Sequence, residues 1–273
     1  MLSQDRQNYA NKFEKNLIEI KNLNLQYGSD NRSSILALQD INLNLKEGEF
    51  LCVLGPSGCG KSSLLKVIAG YLKPSSGSCL MQGEMIKKPD WHRGVVFQSP
   101  TLYPWLTVKE NVSFGPKMRN LAKNKIEEIS SYFLDEVKLS GFGDRHTFEL
   151  SGGMKQRVAL ARVLANYPQV ILMDEPFGAL DALTRDNMQG LIREIWQEND
   201  TTIFFITHDV DEALSLATRI IVMSKRPGEI VKEFKVNFTS QILAGNKKTV
   251  IYQDEYFKLK NEILEIINSQ IEK

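Results

Sequence analysis

Short apolar runs alternate with amphipathic segments through most of the chain. Segments with apolar residues at helical spacing lie at 154–165, 184–198 and 210–217. The apolar runs are each long enough for one buried strand and lie at 50–54, 94–97, 170–173, 202–207 and 220–223. Continuous apolar strands that alternate with helices predict a mainly parallel sheet covered on both faces. The pattern therefore predicts an α/β fold.

The first part of the chain has a different pattern. Residues 17–27 alternate partly, and residues 38–45 alternate cleanly between apolar and polar side chains, so both segments predict half-buried strands. A turn at 73–77 leads into a predicted hairpin around Gly83. Residues 1–16 are polar with mixed charge, and we expect them to form a flexible N-terminal tail.

Two further segments have helical patterns. From residue 108 to about 132 the chain is helical and polar, which predicts an inserted helical subdomain at about 99–157. The expected apolar positions of this insertion are Met118, Leu121, Ile126, Ile129 and Phe133. Residues 254–273 predict an amphipathic C-terminal helix. Its expected apolar positions are Tyr256, Leu259, Ile263, Ile266, Ile267 and Ile271.

Composition narrows the possible classes of protein. The chain has 273 residues, and its 34 basic side chains nearly balance 33 acidic ones, which argues against a basic nucleic-acid-binding surface. No apolar run approaches the roughly 18 residues of a membrane span, and residues 1–16 contain no secretory apolar region. Cys52, Cys59 and Cys79 lack the spacing of a metal site. A reduced, cytosolic protein is the simplest expectation.

A glycine-rich loop follows the apolar run at 50–54. The sequence from Gly55 to Ser62 reads GPSGCGKS and fits the phosphate-loop pattern G-x-x-x-x-G-K-[ST]. A strand, such a loop and a helix together wrap backbone N–H groups around a phosphate chain. Lys61 would then reach the β- and γ-phosphates, and the hydroxyl of Ser62 would bind Mg²⁺. Because Cys59 lies inside the loop, we expect bound ATP to block its alkylation.

Polar side chains also end three other predicted strands. Gln98 follows one strand, Asp174 and Glu175 end the next, and His208 follows a third. Ligands bind outside the carboxyl ends of strands in open α/β sheets. Asp174 would hold Mg²⁺ directly or through water, and Glu175 would take a proton from the attacking water. An acidic pair at a strand end is by itself more often a cap or a solvated turn, so this assignment depends on the phosphate loop.

Ser151, Gly152 and Gly153 form a second candidate anion site at the start of a predicted helix. Glycines before a helix N-terminus expose backbone N–H groups to a phosphate. The alternative is a simple helix cap, for which Ser151 is well suited. Two such sites in one chain favour a head-to-tail dimer in which the second site of one subunit contacts the nucleotide bound by its partner.

The segment from Leu150 to Arg157, LSGGMKQR, resembles the signature sequence of ATP-binding cassette (ABC) ATPases. It lies between the phosphate loop and the strand that ends in Asp174 and Glu175, in the family's order. The resemblance covers residues 17–234. It implies a P-loop NTPase core with a mainly parallel sheet, an N-terminal antiparallel β-subdomain and an inserted helical subdomain. The ATPase domain would span 17–240, and a helical extension would span 241–273.

The resemblance also implies roles at matching positions. Tyr27 would stack on adenine, although a tyrosine at a strand end is often only packing. Gln98 would sense Mg²⁺ and the attacking water, and His208 would contact the γ-phosphate, unless it only makes a local hydrogen bond. The implied catalytic residues are Glu175, His208, Gln98 and Lys61, and the implied Mg²⁺ ligands are Ser62, Gln98 and Asp174. The implied nucleotide contacts are Tyr27, Gly55, Pro56, Ser57, Gly58, Cys59, Gly60, Lys61, Ser62, Ser63, Ser151, Gly152, Gly153 and Asp181.

Segments 91–98, 102–108, 177–185 and 226–228 are similar to the importer ATPases of the nitrate, sulfonate and taurine group. This finer resemblance implies ATP and Mg²⁺ as cofactors, a homodimer and two integral-membrane permease subunits. An extracytoplasmic solute-binding protein would act indirectly, and nucleic acid would not be a partner. The protein would lie peripherally on the cytoplasmic face of the membrane, with residues 102–106 in contact with a permease helix.

Two other functions remain open at this point. One is the ATPase of an export or lipid-extraction system that also works with separate permeases. The other is a soluble ABC ATPase of nucleic-acid or translation function, a class that usually has tandem cassettes, zinc modules or coiled coils.

Overall fold

The structure, a computed structural model, describes residues 15–28, 34–199, 201–246, 250–251 and 253–272. The tail predicted for residues 1–16 lies outside these residues except for its last two positions. The strands are β1 (Asn16–Tyr27), β2 (Ile35–Lys46), β3 (Phe50–Leu54), β4 (Ser76–Met81), β5 (Glu84–Met85), β6 (Arg93–Val96), β7 (Val170–Asp174), β8 (Thr202–Ile206), β9 (Arg219–Met223) and β10 (Ile230–Lys235). The helices are α1 (Lys61–Ala69), α2 (Val108–Met118), α3 (Lys123–Glu136), α4 (Gly152–Leu164), α5 (Ala182–Asn199), α6 (Val210–Leu216), α7 (Phe238–Gln241) and α8 (Asp254–Glu272).

The chain divides into two compact units. The first, which we call the terminal unit, is built from the chain up to Pro89 and from Trp196 onward. The second, the central unit, is Asp90–Ile195. The predicted boundary between an ATPase domain (17–240) and a C-terminal extension (241–273) stays a prediction, because the two units divide the chain after Pro89 and after Ile195 instead.

The terminal unit contains the predicted parallel strands around β3. β3 pairs in parallel with β8 on one side and with β9 on the other, which places Cys52 opposite Phe205 and Ile220. Every residue of β3 and β8 is buried. Burial on both faces explains why these strands are continuous apolar runs rather than alternating ones.

An antiparallel sheet in the order β2-β1-β4-β5 forms the rest of the strands before Pro89. β1 pairs with β2, for example Ile20 with Leu43, and β4 pairs with β5 across the turn at Gly83. From Ile41 to Leu45 buried and exposed residues of β2 alternate, which gives this part of the strand one buried and one exposed face, whereas Ala37 and Leu38 are both buried. The α/β class with an N-terminal antiparallel sheet is therefore confirmed.

Strand β10 is absent from the sequence prediction. It pairs antiparallel with β9, and among its residues only Phe234 is buried. A strand that exposes most of its side chains lacks the apolar run on which the prediction of the other strands depended.

The central unit holds the parallel pair β6 and β7 and the helices α2, α3 and α4. The predicted helical stretch is two helices, separated by residues 119–122. Ile129 and Phe133 are buried as predicted, but Met118 is 65% exposed. Met118 was placed wrongly because α2 ends there, so the helical phase of α3 does not extend back to it.

The long helices α5 and α8 were predicted with different accuracy. The predicted apolar face of α5 is buried throughout: Met188, Leu191, Ile192, Ile195 and Trp196. In α8, Tyr256 and Ile263 are buried but Ile271 is 56% exposed, and Gln270 is buried in its place. Residues 256, 263 and 270 share one face at seven-residue spacing, and residue 271 lies about 100° away from that face. Among the described residues, none of the helices is both long and apolar enough to span a membrane.

Candidate nucleotide-binding site

The phosphate loop connects the buried strand β3 to α1. Gly60 stands at the N-cap of α1 with φ 104° and ψ 4°, in the left-handed region. A Cβ at Gly60 would lie 2.7 Å from Cδ2 of Leu38, so both the backbone conformation and the space require glycine. Since Gly60 has no side chain to cap α1, the first N–H groups of this helix suit an anionic ligand.

Lys61 has its ammonium group inside the loop. The residue is only 7% exposed, and its Nζ donates hydrogen bonds to the carbonyl oxygens of Gly55 (2.8 Å) and Pro56 (3.0 Å). Among the residues that the structure describes, the acceptors of this buried positive charge are neutral, which favours an anion nearby. The loop therefore fits the phosphates of a nucleotide, as the sequence predicts.

Cys59 lies under the loop rather than on its surface. Its side chain is 1% exposed, and Sγ lies 3.8 Å from Nζ of Lys61. Burial raises the pKa of the Cys59 thiol, and the charge of Lys61 opposes that rise. The protein itself already shields the thiol, which argues against the expectation that bound ATP decides whether Cys59 is alkylated.

Gly228, which is distant from the phosphate loop in sequence, packs against the backbone of the loop. A Cβ at Gly228 would lie 2.0 Å from the carbonyl oxygen of Cys59, so only glycine allows this approach. Gly228 also donates to the carbonyl of Ala37 (2.9 Å) and accepts from the N–H of Gln39 (3.0 Å). The sequence signal for this contact was the segment 226–228, whose role the sequence alone did not reveal.

Tyr27 ends β1 and is 40% exposed. Its hydroxyl lies 3.0 Å from Oγ of Ser63, in the first turn of α1. The ring is therefore beside the helix that follows the phosphate loop. Its predicted stacking on adenine stays a prediction.

His208 is exposed and follows β8, the parallel neighbour of β3. Because β3 and β8 are parallel, their carboxyl ends lie at the same edge of the sheet. The phosphate loop and His208, which follow these two strands, therefore begin at that same edge. The residues on either side of His208 are tied to α6. Thr207 donates to Oε2 of Glu212 (2.5 Å), and the N–H of Asp209 donates to Oγ1 of Thr207 (3.0 Å).

The capping of α6 was missed at the sequence level. The carboxylate of Asp209 accepts from the N–H groups of Asp211 (2.8 Å) and Glu212 (3.2 Å). The available signal was the D-x-x-E spacing of Asp209 and Glu212, which is typical of a helix start. This cap fixes the backbone directly after His208.

In the central unit, Gln98 and the acidic pair follow parallel neighbours. β6 pairs with β7 so that Val96 lies opposite Met173, and Asp174 and Glu175 come directly afterwards. A Cβ at Gly178 would lie 3.1 Å from Nε2 of Gln98, so this amide lies against the turn after Glu175. The structure thus brings Gln98 and the acidic pair to one strand edge.

Glu175 has an unusual backbone. Its φ is 45°, in the left-handed region that is uncommon for a residue with a long side chain. Such conformations cost of order 1–3 kcal/mol and cluster at functional sites. The strained backbone is compatible with the role of Glu175 as a base, which stays a prediction.

The signature segment begins α4. Ser151 caps this helix by accepting from the N–H of Met154 (3.3 Å), and both Ser151 and Gly152 are exposed. Gly153 is buried, and a Cβ there would lie 2.4 Å from Cγ2 of Thr184. Further along α4, Gln156 donates to the carbonyl of Phe97 (3.2 Å), directly before Gln98. The helix of the signature segment is therefore tied to the strand that leads to Gln98.

Asp181 caps the start of α5. Its carboxylate accepts from the N–H (3.0 Å) and the hydroxyl (2.6 Å) of Thr184, and these hydrogen bonds lower the pKa of Asp181. Thr184 also packs on Gly153, so the signature segment and Asp181 both contact this threonine. The predicted contact of Asp181 with nucleotide stays a prediction.

This set of motifs matches a known protein family. The sequence model for ABC transporters matches residues 38–178. The chain belongs to the ABC transporter family. As an ABC ATPase it binds ATP, and the family couples ATP hydrolysis to transport.

Curated relatives of this ABC protein cover most of its length. The taurine import ATP-binding protein TauB of Roseobacter denitrificans is 48% identical over 250 residues, which are 92% of this chain and 93% of the relative. TauB of Escherichia coli is 44% identical over 241 residues, 88% of this chain and 92% of the relative. The nitrate import ATP-binding protein NrtD of Synechocystis is 43% identical over 255 residues, 93% of this chain and 96% of the relative.

Solved structures of ABC cassettes share the fold. The dimeric post-hydrolysis state of the ATP-binding cassette MJ0796, bound to ADP and Pi, matches with a TM-score of 0.71 and 33% identity. The match covers 81% of this chain and 99% of that one. CbiO1 from Clostridium perfringens, part of the ABC transporter complex cbiONQ, matches with a TM-score of 0.75 and 29% identity over 92% of this chain and 99% of that one.

Proposed function

We propose that this protein is the ATP-binding and ATP-hydrolysing subunit of an ABC importer for a small anionic solute of the nitrate, sulfonate or taurine type. The observation that carries the proposal is the set of relatives named as import ATP-binding proteins, at 43–48% identity over about nine-tenths of the chain. The buried ammonium of Lys61 inside a phosphate loop supplies the chemistry that such a subunit needs.

Water would attack the γ-phosphorus of ATP, and the bond from this phosphorus to the oxygen shared with the β-phosphate would break, so that ADP leaves and inorganic phosphate forms. Lys61 and the backbone donors of the phosphate loop would stabilise the charge on the phosphates. Glu175 would accept the proton of the attacking water, Gln98 would orient that water, and His208 would contact the γ-phosphate. The support is that His208 follows the strand next to the phosphate loop, while Gln98 and Glu175 follow paired strands of the central unit.

The residues present fit Mg²⁺, which prefers oxygen ligands. In the central unit, Asp174 and Gln98 carry side-chain oxygens at the ends of the paired strands β7 and β6. In the terminal unit, Ser62 carries a hydroxyl in the first turn of α1. Mg²⁺ held by these groups would neutralise charge on the phosphates.

The protein would work as a homodimer. Ser151 and Gly152 are exposed at the start of α4, and together with Gly153 they would bind the ATP of the opposite subunit. Two permease subunits would join the dimer at the cytoplasmic face of the membrane, and an extracytoplasmic solute-binding protein would deliver the solute to them. Nucleic acid would not be a partner.

Residues 102–106 would contact a permease helix. Trp105 is 70% exposed, and its ring centroid lies 5.6 Å from that of Tyr103. Arg162 steadies this segment by donating to the carbonyl of Thr101 (2.7 Å). Trp105→Ala should uncouple transport from hydrolysis, whereas Met118→Ala, which also removes an exposed apolar side chain, should not. Intact coupled transport in Trp105→Ala would refute this contact.

The whole proposal is tested by reconstitution with the permease that copurifies with the chain and a solute-binding protein of the proposed importer type. We expect ATP hydrolysis to rise when binding protein loaded with taurine, another sulfonate or nitrate is added. Stimulation by a permease without any binding protein would favour an export system. Failure to copurify with a permease, together with salt-sensitive nucleic-acid binding, would favour a soluble ABC ATPase.

A further inference from the structure

The helix that follows His208 is held at both ends by the C-terminal part of the chain. α6 has 7 residues, too few for a helix to be stable by itself. Its position must therefore come from contacts with other elements. Its buried apolar side chains pack on β3, and α7 and α8 supply further contacts, including the polar ones at its two ends.

The first turn of α6 is held through Asp211. The hydroxyl of Tyr256 donates to Oδ1 of Asp211 (3.0 Å), and Nζ of Lys260 donates to Oδ2 (2.7 Å). Tyr256 is buried and packs edge-on against Phe238, with ring centroids 5.2 Å apart. Burial and the charge of Asp211 raise the pKa of Tyr256, so its hydroxyl stays protonated and remains a donor.

The other end of α6 is held by α7. The buried hydroxyl of Thr239 lies within hydrogen-bonding distance of the carbonyl oxygens of Ser215 (3.3 Å) and Ala217 (3.0 Å). The last carbonyls of a helix have no partner within the helix, so this contact satisfies groups that would otherwise need water. α6 is thus fastened at its start by α8 and at its end by α7.

The fastened helix in turn fixes the backbone around His208. The hydroxyl of Thr207 donates a hydrogen bond to Glu212, and the carboxylate of Asp209 accepts hydrogen bonds from the N–H groups of Asp211 and Glu212. A shift of the first turn of α6 would therefore move both neighbours of His208. These contacts lie entirely within the terminal unit.

We propose that the C-terminal helix α8 positions His208 through α6, with Tyr256 and Lys260 as positioning residues that act on Asp211. The proposal rests on the proposed function, in which His208 contacts the γ-phosphate. It gives the C-terminal extension a part in hydrolysis rather than a purely structural one.

The chain offers a matched control for this proposal. Lys232 of β10 forms an ion pair with Glu262 (2.5 Å), which fastens α8 to β10 without passing through α6. Lys232→Met thus removes a contact of the same helix that the proposal does not use. Lys260→Met removes the ion pair to Asp211, and Tyr256→Phe removes only a hydroxyl.

The experiment measures ATP hydrolysis by the full chain, together with the imidazole NMR signals of its 3 histidines. For Tyr256→Phe and Lys260→Met we expect kcat to fall about 5-fold, roughly the worth of one hydrogen bond, at unchanged KM for ATP. The His208 signal should shift or broaden, while those of His92 and His146 stay in place. Lys232→Met should change neither quantity.

A double variant identifies the residue through which the effect passes. In a His208→Ala background, Tyr256→Phe should cause no further loss of kcat, because coupled residues are not additive. Additive losses would overturn the proposal, as would an unmoved His208 signal in Tyr256→Phe or equal effects of Lys232→Met. If the wild-type chain hydrolyses no ATP, the proposed function fails, and the NMR signals still report whether Tyr256 positions His208.

Discussion

The phosphate loop and the signature segment are both glycine-rich and both precede a helix, yet they are built differently. In the phosphate loop, Gly60 has a left-handed backbone, and the adjacent Lys61 is buried with its ammonium on loop carbonyls. In the signature segment, Ser151 caps its own helix and is exposed, and Gly153 is required by the side chain of Thr184.

The difference shows what each glycine is for. Gly60 permits a backbone conformation, whereas Gly153 permits a close approach between two helix starts. The phosphate loop has its cation within the same chain. In the signature segment Ser151 and Gly152 are exposed, and the basic residues Lys155 and Arg157 follow within the helix rather than inside a loop. This arrangement suits contact with a nucleotide held mainly by another subunit.

The largest expected effect comes from removing the cation of the phosphate loop. Lys61→Ala should abolish measurable ATP binding and lower hydrolysis by more than about 100-fold, because a preorganised charge on the phosphates is lost. Calorimetry and phosphate release would measure the two effects. Lys66→Ala, which removes an exposed lysine of the same helix, should be close to wild type. Equal losses in both variants would contradict the assignment.

Substitution of Ser151 in the signature segment should lower ATP hydrolysis without lowering ATP binding, unlike Lys61→Ala. Ser151→Ala should leave ATP binding to the monomer unchanged but lower hydrolysis about 10-fold, since one hydrogen bond to the partner's nucleotide would be lost. The lost cap should also destabilise the protein by about 1 kcal/mol.

Thr107→Ala is the control for the stability effect of Ser151→Ala. Thr107 caps α2 by accepting from the N–H of Glu110 (3.2 Å), so its removal should cost a similar free energy of unfolding. Hydrolysis by Thr107→Ala should be unchanged. If both variants lose hydrolysis equally, Ser151 is only a helix cap.

A pair of glycine substitutions compares the two helix starts by stability. Gly60→Ala should lower the free energy of unfolding by about 1–3 kcal/mol, because alanine is strained at this φ and its Cβ meets Leu38. Gly152→Ala should change it by less than about 0.5 kcal/mol, since Gly152 has open space at its Cβ position. Urea unfolding would measure both, and a larger loss in Gly152→Ala would contradict the comparison.

The smallest expected effect is on Cys59. Iodoacetamide should label it slowly, and equally with and without ATP, because the thiol is buried and its pKa is raised. Mass spectrometry of labelled peptides would measure the rate. Fast labelling that ATP suppresses would place the thiol at the surface of the loop.

Most of the fold and the strand-end residues were predictable from sequence. The continuous apolar runs identified β3 and β8, and each predicted site residue after them lies at a strand end. Contacts between distant segments were not predictable, such as Gly228 beneath Cys59 or Gly153 against Thr184. Such contacts depend on which backbones come close together in three dimensions, and no local pattern records that proximity.

Sedimentation velocity of Glu175→Gln with and without ATP tests the central claim, that two copies share each nucleotide. With hydrolysis blocked, the account predicts that ATP doubles the mass of the particle. The same chain carrying Lys61→Ala should remain a monomer. A Glu175→Gln chain that stays monomeric at saturating ATP, or a dimer that forms equally without nucleotide, would contradict the account.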